Sequence, residues 1–394
     1  MRILYVHGSA KTEGIINALR RLRVDVEVYP GRLLDAFANE KEADELTSFI
    51  KEHEITHVMS IHLIDTIVVA VKRTNTIYIS LIWDAPYYKI LTEYGRMENC
   101  RYSTFDKVDA RRFADEGIKH ILYQPLAVDY EQILEWDKSC CTGGDYHYTD
   151  EVCFVGQLYD NNFYDEFCNH LPQELQDYFV GVFERAAFRW DGTNRINGTV
   201  SNELVAYIRK VTPGFQMVNF FDIADSTYFE NGYLTRKVAN IERICVLNLL
   251  AERFPVTLYT TSKTAEQRLD NVKIMPPICS EQALHYAFKN SKINLNISLK
   301  GIEGGTPQRV LDILGAGGFA LTNYSPETAE LFKEDEEIVM FRTPEELMEK
   351  VEYYLNHDKE REQIARNGHA KVMRCYTYEK KIEELLAWVE GEER

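Results

Sequence analysis

Residues 300–323, KGIEGGTPQRVLDILGAGGFALTN, decide how this chain of 394 residues folds. They follow KINLNIS, a short apolar and β-branched run that is typical of a buried strand. A glycine-rich loop comes first, then apolar residues at helical spacing, and the second apolar stretch GFALTN closes the segment. The order strand, loop, helix and strand predicts a βαβ unit of a parallel sheet.

The alternation of predicted strands and helices continues on both sides of this unit. PVTLYT and NVKIMP precede it as predicted strands, and EEIVMF follows it, with the predicted helices EQALHYAFKN, PETAELF and PEELMEKVEYYLN between. In the first 130 residues the runs RILYVH, VDVEVY, HVMSIHL and TIYISLIW alternate with predicted helices at 12–22, 40–53 and 107–117. The sequence therefore predicts an α/β fold of two doubly wound units.

Chain length indicates two domains, because a single core seldom grows beyond about 250–300 residues. We predict an amino-terminal Rossmann-like domain over 1–135, a polar linker over 136–150 and a carboxy-terminal Rossmann-like domain over 151–376. Helical periodicity marks an insertion at about 161–249. Residues 377–394 predict an amphipathic helix that packs on the nearest domain or crosses back to the first.

Composition excludes several classes of protein. A formal net charge of -17 argues against a nucleic-acid partner, because phosphate backbones are bound through clustered Lys and Arg. No run approaches the roughly 20 apolar residues of a membrane helix, and the first apolar run is too short for a signal peptide. The 8 cysteines include no CxxC pair. We therefore expect a cytoplasmic protein with reduced thiols.

The start of the helix in residues 300–323 carries the main candidate binding residues. Gly304, Gly305 and Thr306 form the preceding loop, and Pro307 sits where the first turn begins, a position at which proline costs no hydrogen bond. The free N–H groups and the positive dipole end of a helix start bind diphosphates, and glycine lets the backbone approach a ligand closely.

Arg309 and Asp312 lie three residues apart and so share one helix face. Arg309 is a candidate to neutralise a phosphate. Asp312 has two acceptor oxygens, which match the vicinal hydroxyls of a ribose. The alternative is an ordinary surface ion pair.

Polar residues also follow the predicted strands of the first domain, where ligands bind in open parallel sheets. Gly8 and Ser9 could offer backbone N–H groups to a diphosphate. His62, Asp65 and Asp84 are candidate general bases for a hydroxyl nucleophile if the reaction inverts configuration. If it retains configuration, the donor phosphate can take that proton. Each of the three can also be structural or position a substrate.

Further motifs, present or absent, narrow the range of possible enzyme classes. Tyr259 ends PVTLYT and is a candidate to line a base or phosphate pocket. The chain contains no DxD triplet, the carboxylate pair that would hold a metal on a diphosphate, so we expect metal independence. GxGxxG and GxxxxGK[ST] are absent too, which argues against a dehydrogenase and a P-loop enzyme.

Four motifs occur in one order along the carboxy-terminal part of the chain: LNIS, GxxxRVxDILxxGGFxLTN, PExxELF and PEEL. This series resembles the carboxy-terminal domain of CgeB-like (spore maturation protein) glycosyltransferases, a domain of the glycosyl transferases group 1 type. The resemblance covers about residues 271–380 and extends weakly to FVGQLYD and SLIWDAPY. It implies a GT-B fold, two Rossmann-like domains facing a cleft, with the nucleotide-sugar donor on the second domain and the acceptor on the first. It places Asp312 at the ribose and Arg309 as the basic residue before it. Many retaining GT-B enzymes carry two glutamates eight residues apart, whereas Glu303 and Asp312 are nine apart here, with Asp in the second place.

The leading hypothesis is a metal-independent glycosyltransferase without a permanently bound cofactor. It would move a sugar from a nucleotide donor, most simply a UDP-sugar, to a hydroxyl of a glycan, protein or small molecule. The alternatives are a sugar-nucleotide epimerase of the same architecture and a non-catalytic coat or structural protein. The sugar, the base, the acceptor, the stereochemistry and the oligomeric state stay open.

Overall fold

The computed structural model describes residues 1–8, 13–33, 37–140 and 148–392, and the chain divides into two compact units. Unit 1 comprises Met1–Gln132, Gly304–Thr306 and Cys375–Arg394. Unit 2 comprises Ile133–Glu303 and Pro307–Arg374. The loop before the helix of residues 300–323 is therefore grouped with the amino-terminal part of the chain.

Six parallel strands, counted among the described residues, form the sheet of unit 1 in the order β2-β1-β3-β4-β5-β6. The strands are β1 Arg2–His7, β2 Asp25–Arg32, β3 His57–Ile61, β4 Ile77–Ile82, β5 Cys100–Thr104 and β6 Ile121–Tyr123. The helices of this part of the chain are α1 Glu13–Arg21, α2 Glu40–Glu52, α3 Asp65–Thr74, α4 Lys107–Asp115 and α5 Tyr130–Cys140.

Two features of the first 140 residues differ from the sequence prediction. Strand β5, CRYST, was not predicted because it has no apolar run, yet all five of its residues are buried. Helix α5 continues through residues 136–140, which we predicted as the start of a linker, because Ile133 is buried and keeps the helix packed. The linker positions 141–147 lie outside the described residues.

Six parallel strands also form the sheet of unit 2 within the described ranges, in the order β12-β11-β10-β7-β8-β9. Counted from β7, this is the order 3-2-1-4-5-6 of dinucleotide-binding sheets, and it reverses between β7 and β10. The strands are β7 Asp150–Val155, β8 Val256–Tyr259, β9 Lys273–Met275, β10 Ser291–Asn296, β11 Ala320–Asn323 and β12 Val339–Phe341.

Five α-helices lie between β7 and β8 in the described chain, and they build a core of their own that contains a cluster of aromatic rings. Phe167, Phe179, Phe229 and Tyr233 pack together there, with ring centroids 5.0–6.0 Å apart in the closest pairs. These helices are α6 Phe163–Phe167, α7 Gln173–Ala186, α8 Asn202–Val211, α9 Asp225–Phe229 and α10 Thr235–Ala251.

The remaining helices cover the second sheet, except the last one, which belongs to unit 1. In that helix Ile382, Leu385 and Val389 are buried against Ile3 and Tyr5 of β1. No helix in the described part of the chain is long and apolar enough to cross a membrane. These helices are α11 Ala265–Arg268, α12 Glu281–Lys289, α13 Gln308–Gly315, α14 Pro326–Leu331, α15 Pro344–Asn356, α16 Asp358–Cys375 and α17 Tyr378–Glu392.

Candidate functional site

The strand order of unit 2 indicates where this unit would bind a ligand. Open parallel sheets bind ligands beyond the carboxyl ends of their strands, at the point where the strand order reverses. In unit 2 that point lies between β7 and β10, and the chain runs from β10 through residues 297–307 into α13. The predicted residues Arg309 and Asp312 thus lie on the helix that follows a switch-point strand.

The N-cap residue of α13 provides no side-chain cap. Pro307 is the N-cap residue, with φ -60° and ψ 145°, so the helix begins one residue later than predicted. Proline cannot cap through its side chain, and its carbonyl accepts from Val310 N at 3.0 Å. The first N–H groups of α13 therefore lie at the positive end of the helix dipole, and the N-cap residue offers them no side-chain oxygen.

Arg309 and Asp312 face the same side of α13, as their spacing predicted. Arg309 Nη1 lies 3.7 Å from Asp312 Oδ2, and the guanidinium sits over the Phe288 ring, 5.3 Å from its centroid. Among the described residues, Arg309 Nη1 is buried without a hydrogen-bond partner. The Arg309 guanidinium is therefore held by stacking on the Phe288 ring, and its Nη1 can still donate a hydrogen bond.

The Asp312 carboxylate is only partly committed to neighbouring side chains. Gln308 Nε2 donates to Oδ1 at 2.8 Å, and 28% of the side chain is exposed. Burial raises the pKa of Asp312, whereas Arg309 and the Gln308 hydrogen bond act in the opposite direction. The fold thus places a carboxylate where ionisation is costly, and it leaves one oxygen without a close hydrogen bond from Arg309.

The loop before α13 is held by the start of α4, within unit 1. Gly304 N donates to Asp106 Oδ2 at 2.9 Å, and Lys107 N donates to Gly304 O at 2.8 Å. Gly305 forms an antiparallel bridge with Asp106. The Gly304 N–H that we predicted for a diphosphate is therefore already bonded to a carboxylate in this structure.

Close packing accounts for both glycines of this loop. A Cβ at Gly304 would lie 2.8 Å from Val108 N, and one at Gly305 would lie 2.7 Å from the Phe105 ring and 3.1 Å from Phe105 O. Thr306, the next residue, is 1% exposed. The glycines thus allow contact with backbone of the same unit, which is a different reason from the approach to a ligand that we predicted.

Glu303, which precedes the loop, is held within unit 2. Asn197 Nδ2 donates to both of its carboxylate oxygens, at 3.1 and 3.2 Å. Over the ranges that the structure describes, no three His, Cys, Asp or Glu side chains form a group that could hold a metal ion.

In unit 1, the structure brings together two of the three candidate bases. His62 Nε2 lies 3.4 Å from Asp84 Oδ2, and the His62 ring stacks on Tyr87 at 4.9 Å. Asp84 is 73% exposed, whereas the third candidate, Asp65, is buried and lies 3.2 Å from Lys89 Nζ. A histidine beside a carboxylate is an arrangement that can accept a proton, and the Asp65 carboxylate is engaged by a lysine.

Gly8 and Tyr259 have structural contacts of their own. Gly8 is buried after β1, its carbonyl accepts from Arg32 Nε, and a Cβ there would lie 3.2 Å from Ile64 Cδ1. Its predicted partner, Ser9, lies outside the described residues.

Tyr259 ends β8, but its hydroxyl donates to Asp150 Oδ2, at the beginning of β7, at 3.1 Å. Burial and then the Asp150 charge raise the pKa of Tyr259 to about 12. The hydroxyl therefore points back along the sheet, away from the edge at which we expected it to line a pocket.

Sequence reasoning missed the buried charges at the switch point of unit 2. Arg243 of α10 donates to Gln157 O and to Ile297 O, both at 2.6 Å, and so joins the segments that follow β7 and β10. The sequence gives no local signal for this role, because an arginine in an ordinary helical run indicates a solvent-facing position.

The neighbouring Glu242 forms a buried ion pair with Lys300. Lys300 Nζ lies 3.1 Å from Glu242 Oε1 and donates to Arg189 O at 2.7 Å, while Phe188 N donates to Glu242 Oε1 at 3.1 Å. Burial raises the pKa of Glu242 and lowers that of Lys300, and the pairing of the two opposes both shifts. This pair ties the segment between α7 and α8 to the residues that follow β10.

Comparison with known proteins adds a sequence match and several likenesses of fold. Residues 244–387 match the family model described as glycosyl transferase-like. A glycosyltransferase from Rickettsia africae is similar in structure, with a TM-score of 0.51 and 9% identity over 99% of this chain and 98% of that chain. No curated protein sequence matches the chain.

HepE from Anabaena is also similar in structure. In complex with UDP-glucose it gives a TM-score of 0.53 at 9% identity, covering 99% of this chain and 100% of that chain. In complex with UDP and glucose it gives a TM-score of 0.52 at 10% identity, covering 98% of this chain and 99% of that chain. Identities this low show the fold alone. The predicted fold class is confirmed: the chain has the α/β fold of GT-B glycosyltransferases, with two parallel six-stranded sheets in its described residues.

Proposed function

We propose that this chain is a glycosyltransferase that transfers a sugar from a nucleotide-diphosphate donor to a hydroxyl acceptor. The observation that carries the proposal is the start of α13, which follows a switch-point strand and presents Arg309 and Asp312 on one face. This helix lies inside the segment that matches the glycosyl transferase-like model. Its sequence pattern also supports membership of the CgeB-like subfamily.

The diphosphate of the donor binds at the first turn of α13. The helix dipole favours negative charge there, and the N-cap residue offers the first N–H groups no competing side-chain oxygen. Arg309 supplies a full positive charge and an Nη1 that has no hydrogen-bond partner among the described residues. These groups stabilise the diphosphate as it leaves the sugar, which is where negative charge develops. Because protein groups meet this charge, we propose a metal-independent reaction without a permanently bound cofactor.

The ribose of the donor binds at Asp312. An ionised carboxylate accepts hydrogen bonds from two vicinal hydroxyls, and such charge-assisted bonds are stronger than neutral ones. Gln308 Nε2 already orients Oδ1 at 2.8 Å. UDP-glucose is the donor to test first, because HepE binds it on a similar fold.

His62 is our candidate for the general base toward the acceptor hydroxyl in an inverting reaction. Asp84, 3.4 Å away, would stabilise the imidazolium that forms. Asp65 is not proposed for this role, because Lys89 engages it in a buried pair. The acceptor is a glycan, a protein or a small molecule with a free hydroxyl.

Ligand-induced stabilisation tests the proposal. Melting temperatures are measured with UDP, GDP, dTDP, ADP and CMP, since a ligand that binds the folded state raises stability by mass action. We expect a nucleoside diphosphate, foremost UDP, to raise the melting temperature, and UDP-glucose to be turned over slowly with water as acceptor. Absence of binding by every nucleotide and of any UDP-glucose turnover would overturn the proposal.

A further inference from the structure

The start of α4 shows an unusual use of one carboxylate. Asp106 is 1% exposed, and its Oδ1 accepts from Val108 N at 2.8 Å and from Asp109 N at 3.1 Å, so it caps α4. Its other oxygen, Oδ2, accepts from Gly304 N, which is 198 residues away in the chain. One buried side chain thus caps a helix and holds the loop before α13.

The backbone around this carboxylate fits the same arrangement. Lys107 N donates to Gly304 O, and Gly305 bridges Asp106, so the loop is held from both sides of Gly304. A Cβ at either glycine would collide with residues 105–108. The conformation at Gly304 and Gly305 is therefore set by contacts with residues 105–108, at the start of α4.

We propose that Asp106 is a positioning residue for donor binding, because it holds Gly304 and Gly305, which lead through one further residue into Pro307, the N-cap residue of α13. This inference rests on the proposed function for its ligand, the nucleoside diphosphate. Asp106 does not touch the donor in this role. It acts through the loop, by holding the backbone that directs the first turn of α13.

The positioning role of Asp106 and the electrostatic effect of its charge have opposite consequences for anion binding. Asp106 carries a negative charge near a loop that we link to a diphosphate, so removal of that charge alone would strengthen binding of an anion. Loss of the fixed loop would weaken it, because an unfixed loop must be ordered when the ligand binds. The positioning role therefore predicts that a change at Asp106 weakens UDP binding, whereas removal of the charge alone predicts tighter binding.

Asp106→Asn is the variant that separates the two uses of the carboxylate. Asparagine caps helices about as well as aspartate, but its amide has a single acceptor oxygen. It can serve the α4 cap or Gly304 N, and it presents an N–H group to the other. Asn39→Ala is the matched control, because Asn39 caps α2 through Lys41 N and Glu42 N.

The experiment measures two quantities for the wild-type protein and both variants. Hydrogen–deuterium exchange of the peptide that contains Gly304 reports the loop without any nucleotide. Calorimetric titration with UDP, together with KM and kcat for UDP-glucose turnover, reports the donor site. We expect Asp106→Asn to speed exchange at Gly304 at least tenfold, to weaken UDP binding about tenfold and to raise KM more than it lowers kcat.

The control should show the reverse pattern. Asn39→Ala is expected to lower the melting temperature by about 2–4 °C and to leave exchange at Gly304 and UDP affinity unchanged. Unchanged exchange at Gly304 in Asp106→Asn, or UDP binding that is unchanged or tighter, would overturn the inference. A wild-type protein that binds no UDP would instead overturn the proposed function, and the donor role of Asp106 with it.

Discussion

Two helices in this molecule, α4 and α13, use aspartate in opposite ways. At α4, Asp106 is buried, and at least three backbone N–H groups donate to its two oxygens. At α13, the N-cap residue Pro307 provides no side-chain cap, and Asp312 bonds to Gln308 while part of its side chain stays exposed. The first carboxylate is fully used by the fold, and the second keeps capacity for a ligand.

At Asp312, the requirements of folding and of the proposed ligand binding oppose each other. Burial raises the pKa of Asp312 above its ordinary value, so the folded chain binds this proton more tightly than the unfolded chain does. The stabilisation that follows is present below the ordinary pKa and is lost as pH rises through the raised one. Ionisation of Asp312 is therefore a cost to folding, which a bound ribose would offset.

The largest expected effect comes from the cation of the α13 start. Arg309→Ala should weaken UDP binding by about 10–100-fold, because a hydrogen bond to a charged group contributes about 1.5–3 kcal/mol. Calorimetric titration of UDP measures the loss. Arg253→Ala is the control: Arg253 belongs to the same unit, is about half exposed and pairs with Glu352, so its loss should leave UDP affinity unchanged. Equal affinities in the two variants would remove Arg309 from the site.

The α4 start can be broken by adding one methyl group. Gly305→Ala should lower the free energy of unfolding by about 1–3 kcal/mol, because its Cβ would lie 2.7 Å from the Phe105 ring and 3.1 Å from Phe105 O. Gly391→Ala adds the same group where no atom lies within 4 Å, and it should be neutral. Urea unfolding measures both. A neutral Gly305→Ala would show that the contact between the loop and α4 is not tight.

The sequence predicted elements whose signals are local. Helix α15, Pro344–Asn356, begins with proline and has the bounds that we predicted. Arg309 and Asp312 share a face because helical spacing alone requires it. These features depend on neighbours within a few residues, which a single sequence displays.

Features that depend on distant partners could not be predicted in this way. The bond from Gly304 N to Asp106 joins residues 198 positions apart, and the hydroxyl of Tyr259 is directed by Asp150 on another strand. Strand β5 is buried although its residues are mostly polar. In each case the fold supplies the partner, and the local pattern carries no sign of it.

The smallest expected effect is a pH dependence at the α13 start. Asp312 must be ionised to accept both ribose hydroxyls, so affinity for UDP-glucose should fall as pH is lowered through the raised pKa of Asp312, by at most about tenfold per pH unit. UDP-glucose is chosen because its diphosphate carries no terminal group that titrates there. Asp312→Asn should bind weakly and without this pH dependence. The same pH profile in wild type and Asp312→Asn would assign the titration to another group.

The most direct test of the α13 site compares UDP with 2′,3′-dideoxy-UDP, which lacks the two hydroxyls assigned to Asp312. Calorimetric titration is carried out on the wild-type protein and on Asp312→Ala. We predict that the wild type binds UDP about tenfold or more tightly than the dideoxy compound, and that Asp312→Ala binds both equally weakly. A wild type that does not distinguish the two, or an Asp312→Ala variant that still does, would contradict the placement of the nucleotide on α13.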